Sequence, residues 1–150
     1  MKPEAVQVSE LISNNEGMTM KTTTQMKTVL VGCGFIGKMH ARALKAHPEY
    51  ELVAVCDVMN EAAQALATEL GVKSYTDVPA MLKAMKPDLV VICTTTTTHA
   101  SLTTLAVESG VKGVYCEKPM ATNMKDARAM VETCKTHSVA LAIGHTRRVC

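Results

Sequence analysis

From Lys27 onward the sequence alternates between short apolar runs and longer stretches with apolar residues at helical spacing, and the order never breaks. TVLV (28–31), ELVAVCD (51–57), a short piece at Val72–Tyr75, DLVVIC (88–93), Val111–Cys116 and VALAIG (139–144) read as six strands. The stretches 35–47, 60–71, 78–85, 99–109 and 123–137 read as the helices between them. Pro48, Gly71 and Gly110 supply the stops, and Asn123 with Asp126 forms a capping pair at the start of the last helix. Several strand runs are apolar throughout rather than alternating, the pattern of strands covered on both faces. Strict alternation with such strands requires crossovers between parallel neighbours. The expected fold is therefore α/β: a doubly wound parallel six-stranded sheet, helices on both faces, in the order 3-2-1-4-5-6.

The first strand runs into G-C-G-F-I-G, with Gly32, Gly34 and Gly37 at the spacing of a dinucleotide-binding turn. Gly32 permits the tight turn out of the strand, Gly34 lets backbone approach a pyrophosphate, and Gly37 lets the helix pack closely on the strand. The helix opening near Phe35 then presents its positive end to the anion. Asp57 closes the second strand twenty residues after Gly37, where a carboxylate can accept hydrogen bonds from adenosine ribose hydroxyls. It would repel a 2′-phosphate, and Val58, Met59 and Asn60 offer no compensating cation, so NAD is expected over NADP. An S-adenosylmethionine-binding domain of the same Rossmann type, or a purely structural glycine turn with Asp57 as a helix-initiating acid, are the competing readings.

Ligands of open parallel sheets bind beyond the carboxyl ends of the strands, at the point where strand order reverses. There the fourth strand ends in Cys93 and five threonines, Thr94–Thr98, followed by His99. Thr94 is a candidate ribose or pyrophosphate contact, although one threonine as a helix cap and the rest solvated is an equally ordinary arrangement. His99 reads either as a cofactor contact or as a surface histidine. The fifth strand delivers Glu117-Lys118-Pro119 to the same edge. Lys118 there can hydrogen-bond a substrate hydroxyl or carbonyl and stabilise alkoxide character, with Glu117 orienting it or meeting the ribose. A cis Lys-Pro bond is conceivable at this turn.

Composition narrows the rest. The chain has 150 residues, 47% hydrophobic and 20% charged, which is globular and large enough for a real core. A net charge of +2 and no basic stripe interleaved with aromatics argue against a nucleic-acid partner. No apolar run approaches membrane-spanning length, and residues 1–26 fit neither a secretory signal nor a transit peptide, so a cytoplasmic location is expected. Those 26 residues read as a disordered leader, with Met18, Met20 and Met26 as alternative starts. The six cysteines are widely spaced without a C-x-x-C pair, so no metal site is expected and they read as small buried apolar residues.

Five segments taken together, VGCGFIGKMHARAL (31–44), ELVAVCD (51–57), VVICTTTTTHA (90–100), CEKPMA (116–121) and GHTRR (144–148), resemble the Gfo/Idh/MocA family of oxidoreductases over about residues 27–148. The resemblance implies that Gly32, Gly34, Phe35, Ile36, Gly37 and Asp57 form the dinucleotide cradle, with Thr94 and His99 near the nicotinamide half. It implies that Glu117 and Lys118 are the family's E-K-P pair, the lysine at the reacting carbon, and that His145 and Arg147 face the substrate cleft. Two departures stand out. Thr95 occupies a position that is usually proline, which would loosen the loop. The family's second domain, which carries the Asp and His of proton transfer and the homo-oligomer interface, has no counterpart in these residues. His40, His47 and His137 read as packing or surface residues rather than as substitutes. The expected function is the cofactor half of an NAD-dependent oxidoreductase acting on a sugar, cyclitol or other polyol, inactive by itself. A free-standing dinucleotide-binding module or subunit is the alternative. On this reading residues 27–150 are one Rossmann domain, with the substrate domain absent.

Overall fold

The computed structural model describes residues 24–145 of the chain. Most of the expected leader, residues 1–23, lies outside them. Met26 itself belongs to the first strand, because its N–H donates to Glu49 O and extends the ladder two residues beyond the expected start.

The elements follow as β1 (Met26–Val31), α1 (Phe35–Ala46), β2 (Tyr50–Cys56), α2 (Asn60–Leu70), β3 (Lys73–Tyr75), α3 (Val78–Met85) and β4 (Leu89–Ile92). A 3₁₀ turn (Thr96–Thr98) leads into α4 (His99–Glu108), followed by β5 (Gly113–Cys116), α5 (Met124–Thr136) and β6 (Ala140–Ile143). All pairings are parallel, and the order is β3-β2-β1-β4-β5-β6, as the alternation predicts. The anticipated caps are present: Gly71 ends α2 at φ 64°, and Asn123 accepts from the Asp126 N–H while donating to its carboxylate.

Each inner strand sends alternate side chains into two separate cores. Val29, Val31, Val90, Ile92, Val114 and Cys116 pack beneath α3, α4 and α5, with Met81 and Met130 filling the gaps. Leu30, Leu52, Val55 and Val91 pack beneath α1 and α2 against Ala41, Ala63 and Leu66. Methionine substitutes here for the missing aromatics as an adaptable filler. The α1/α2 layer stops short of β6, leaving Ala140 and Ala142 exposed on that face. At the amino ends of the strands Asp88 fixes the register, accepting from the Lys27 N–H at 3.0 Å and from Lys112 Nζ at 2.8 Å. The opposite, carboxyl edge is where the candidate residues gather.

Candidate functional site

The loop between β1 and α1 owes its course to two glycines that have no room for a side chain. Gly32 has φ 97°, and a Cβ there would lie 2.6 Å from the Cys93 carbonyl. A Cβ on Gly37 would lie 1.8 Å from Gly32 O, so α1 approaches the loop as closely as backbone allows. Gly34 is different. A Cβ on it meets nothing within 4 Å, because it faces an open cleft of about 550 Å³. Helix α1 starts at this cleft with no side-chain cap and no acid in its first turn. Its leading N–H groups and the positive end of its dipole are therefore available to an anion. α3 and α5 are capped by side chains, from Asp77 and Asn123, whereas α2 and α4, like α1, are not.

Asp57 sits at the end of β2 with both carboxylate oxygens anchored. Oδ2 accepts from the Cys33 N–H at 2.7 Å and Oδ1 from the Met59 N–H at 2.8 Å. Each oxygen keeps a lone pair for a further donor. The cleft is lined by Gly32, Gly34, Phe35, Ile36, Asp57 and Thr94, six of the residues singled out from sequence, and no lysine or arginine is among its lining residues. A second cleft of similar volume lies at the amino ends of the strands, around Lys83, Lys86 and Glu108, and contains none of the candidates.

The threonine run is partly solvated, with Thr95 and Thr97 exposed, and partly folded on itself. Thr94 and Thr98 hydroxyls are 2.7 Å apart, and Thr98 Oγ1 also donates to Thr95 O. Thr95 itself adopts φ −70°, the value proline would impose, so the loop keeps that course without the ring.

His99 departs from both sequence expectations. It is neither on the surface nor turned toward the cleft: the residue is 1% exposed, with Nδ1 2.9 Å from Pro119 O and Nε2 3.2 Å from Thr94 O. With both ring nitrogens facing main-chain carbonyls, it has none left for a cofactor. Glu117 likewise is occupied within the protein. Oε1 lies 2.7 Å from His40 Nε2 and accepts from the Tyr115 hydroxyl at 3.2 Å, while Oε2 accepts from the Lys118 N–H at 3.1 Å. Burial alone would push this carboxyl up, but the bonds from His40, Lys118 and Tyr115 outweigh it and hold it below its ordinary value. Burial and the neighbouring Glu117 carboxylate push the Tyr115 phenol up to about 12, so it stays a donor. His40 and Tyr115 were not singled out as site residues. A signal did exist for His40: it shares the inward stripe of α1 with Gly37 and Ala41, where a polar residue needs a partner.

Lys118 is exposed at the turn after β5, with no ion pair found for it among the described residues, and its peptide bond to Pro119 is cis. It is not among the residues that line the cleft. Gly37 lies behind the loop rather than in the lining. His145 is exposed at the end of the described residues, and Arg147 falls outside them. The thiols of Cys33, Cys93 and Cys116 are pushed up by burial to about 12 and that of Cys56 to about 11, so all four remain protonated at neutral pH. They pack as small apolar groups, and no cluster of three or more potential metal ligands occurs among the described residues.

Comparison with known proteins places this geometry. Residues 26–145 match the profile of GFO_IDH_MocA, described as an oxidoreductase family with an NAD-binding Rossmann fold. The chain belongs to this family. A D-apiose dehydrogenase from Paraburkholderia graminis is 39% identical over 126 residues, 83% of this chain and 33% of that protein. The crystal structure of a myo-inositol 2-dehydrogenase from Lactobacillus plantarum superposes with a TM-score of 0.79 at 28% identity, covering 85% of this chain and 38% of that one. An Agrobacterium radiobacter oxidoreductase, solved in complex with NAD+, L-tartaric acid and magnesium, gives 0.79 at 30% identity, covering 83% and 36%. The chain thus spans little more than a third of the length of these Gfo/Idh/MocA relatives. No helix among the described residues is long and apolar enough to cross a membrane.

Proposed function

We propose that residues 27–150 act as the nicotinamide-dinucleotide domain of a dehydrogenase whose substrate is a hydroxyl of a sugar, cyclitol or related polyol. The observation that carries the cofactor assignment is Asp57, fixed by two main-chain N–H groups at one end of a cleft whose other wall is Gly34 and an uncapped helix start. The residues suit the dinucleotide. The first turn of α1 receives the pyrophosphate in the space beside Gly34, Asp57 accepts from the adenosine ribose, and Thr94 meets the nicotinamide half. Bound NAD supplies the hydride acceptor. Lys118 holds a hydrogen bond to the substrate oxygen and stabilises negative charge on it, and the family resemblance assigns His145 and Arg147 to substrate binding. The polyol class is supported by the names of the relatives, a D-apiose and a myo-inositol dehydrogenase. Their length supports a further substrate-holding domain, to which the family resemblance assigns the homo-oligomer interface; the proposed location is the cytoplasm, in keeping with residues 1–26, which fit neither a secretory signal nor a transit peptide.

Calorimetric titration of the chain with NADH, NADPH and S-adenosylmethionine tests the cofactor assignment. NADH is expected to bind at least about tenfold more tightly than NADPH, the cost of setting a 2′-phosphate against an unneutralised carboxylate. Tighter NADPH binding refutes the role given to Asp57, and binding of S-adenosylmethionine alone replaces the oxidoreductase with a methyltransferase-type domain.

A further inference from the structure

The turn that carries Lys118 is braced from two sides by histidines. From α1, His40 Nε2 lies 2.7 Å from Glu117 Oε1, and the same carboxylate accepts the Lys118 N–H on Oε2. From the start of α4, His99 reaches the carbonyl of Pro119, the residue on the other side of Lys118. The main chain before and after the lysine is therefore fixed, while its ammonium is left without an ion pair among the described residues. The room for this arrangement is also provided: a Cβ on Gly144 would fall 2.6 Å from the Tyr115 hydroxyl and 2.8 Å from Glu117 Oε1. The His40 ring also packs against Tyr115, tilted at 57° with centroids 5.1 Å apart, on the side where it meets the carboxylate.

We propose that His40 is a positioning residue for Lys118, acting through Glu117. The imidazole turns the Glu117 carboxylate so that Oε2 meets the Lys118 N–H, and that bond sets the direction in which the lysine side chain leaves the turn. The functional half of the inference rests on the reading that Lys118 works at the nicotinamide end of a bound dinucleotide. A purely structural ion pair predicts something else: uniform loss of stability on its removal, with no local effect at Lys118.

The 150-residue chain, its His40→Ala variant and its His40→Gln variant separate the two. Amide hydrogen exchange is read by NMR without ligand, and affinities are then measured for NADH and for AMP, which reports the adenosine end alone. In His40→Ala the Lys118 amide is expected to exchange at least about tenfold faster while Leu30 and Val91 in the sheet keep their protection. NADH affinity is expected to fall a few-fold with AMP affinity within about twofold, because a loosened Lys118 turn disturbs only the nicotinamide end, while the lysine's own hydrogen bond is made to the substrate. His40→Gln, which retains an N–H donor, restores most of both. Unchanged exchange at Lys118, a rise that Leu30 and Val91 share, or equal losses for NADH and AMP overturns the proposal. If the unmodified chain binds neither NADH nor AMP, the dinucleotide reading of the cleft fails, and the exchange measurement alone still decides whether His40 positions the lysine turn.

Discussion

Gly34 and Gly37 belong to one loop and answer to different neighbours. Backbone surrounds Gly37, whereas open cleft faces Gly34, whose φ of −71° and ψ of −170° any residue can adopt. Gly34→Val should therefore leave the thermal midpoint within a couple of degrees and weaken NADH more than about tenfold, by filling the space meant for the pyrophosphate. Gly37→Ala should instead destabilise the fold by roughly 1–3 kcal/mol, as overpacking does. Calorimetry and NADH titration of the two variants check both. Thr95 supplies the opposite kind of test. Its φ of −70° is already that of proline, and its N–H makes no backbone bond among the described residues. Thr95→Pro should stabilise the chain by about 0.4–1 kcal/mol in urea unfolding, by restricting the unfolded state, with NADH affinity little changed. A destabilised variant would show that the hydroxyl contact to Thr97 matters more than the backbone angle.

At the scale of elements, the six strands and five helices were legible because each announces itself locally, by period, by its stops and by a cap such as Asn123. That Gly32, Gly34, Asp57 and Thr94 gather at one cleft was legible for the same reason, each lying at a strand end that the alternation itself locates. What stayed hidden is contact between elements. His40 and Glu117 are 77 residues apart and meet only because β1 and β4 sit side by side and bring α1 over β5. His99 could not be placed either, since a polar residue in the first turn of a helix looks the same in sequence whether it faces a ligand or two carbonyls. The joint between α1 and β5 has a pH signature. Glu117 ionises below its ordinary value when folded, so its contribution is complete above about pH 4.3, the ordinary Glu value, and drains away as pH falls through the lower folded value. Urea unfolding from pH 7 to pH 3 should show the unmodified chain losing more stability than Glu117→Gln, which starts lower and falls less steeply. Parallel curves would mean that the carboxylate contributes nothing through its charge.

Taken as a whole, the molecule couples its ligand cleft to the stability of the sheet, since Asp57, Gly32 and Thr94 belong to strand ends or the loops they lead into. At a free concentration one hundred times Kd, NADH should add about 2.7 kcal/mol of stability, a rise of several degrees in thermal midpoint that Gly34→Val cuts by about half or more. Scanning fluorimetry across an NADH series reads this directly, and a flat response would mean that the cleft does not take the dinucleotide. The lysine turn has a different dependence on the whole chain. The Gly144 N–H donates to Cys116 O, and Gly144 gives Tyr115 and Glu117 the space they occupy. On a ribosome, β1, α1 and β2 emerge early and can already pair, because their contacts lie close in sequence. The turn around Lys118 closes only after β5 has joined the sheet with α1 and α4 in place, since His40 and His99 brace it, so the Gly34 and Asp57 end of the cleft can form first and the Lys118 turn later.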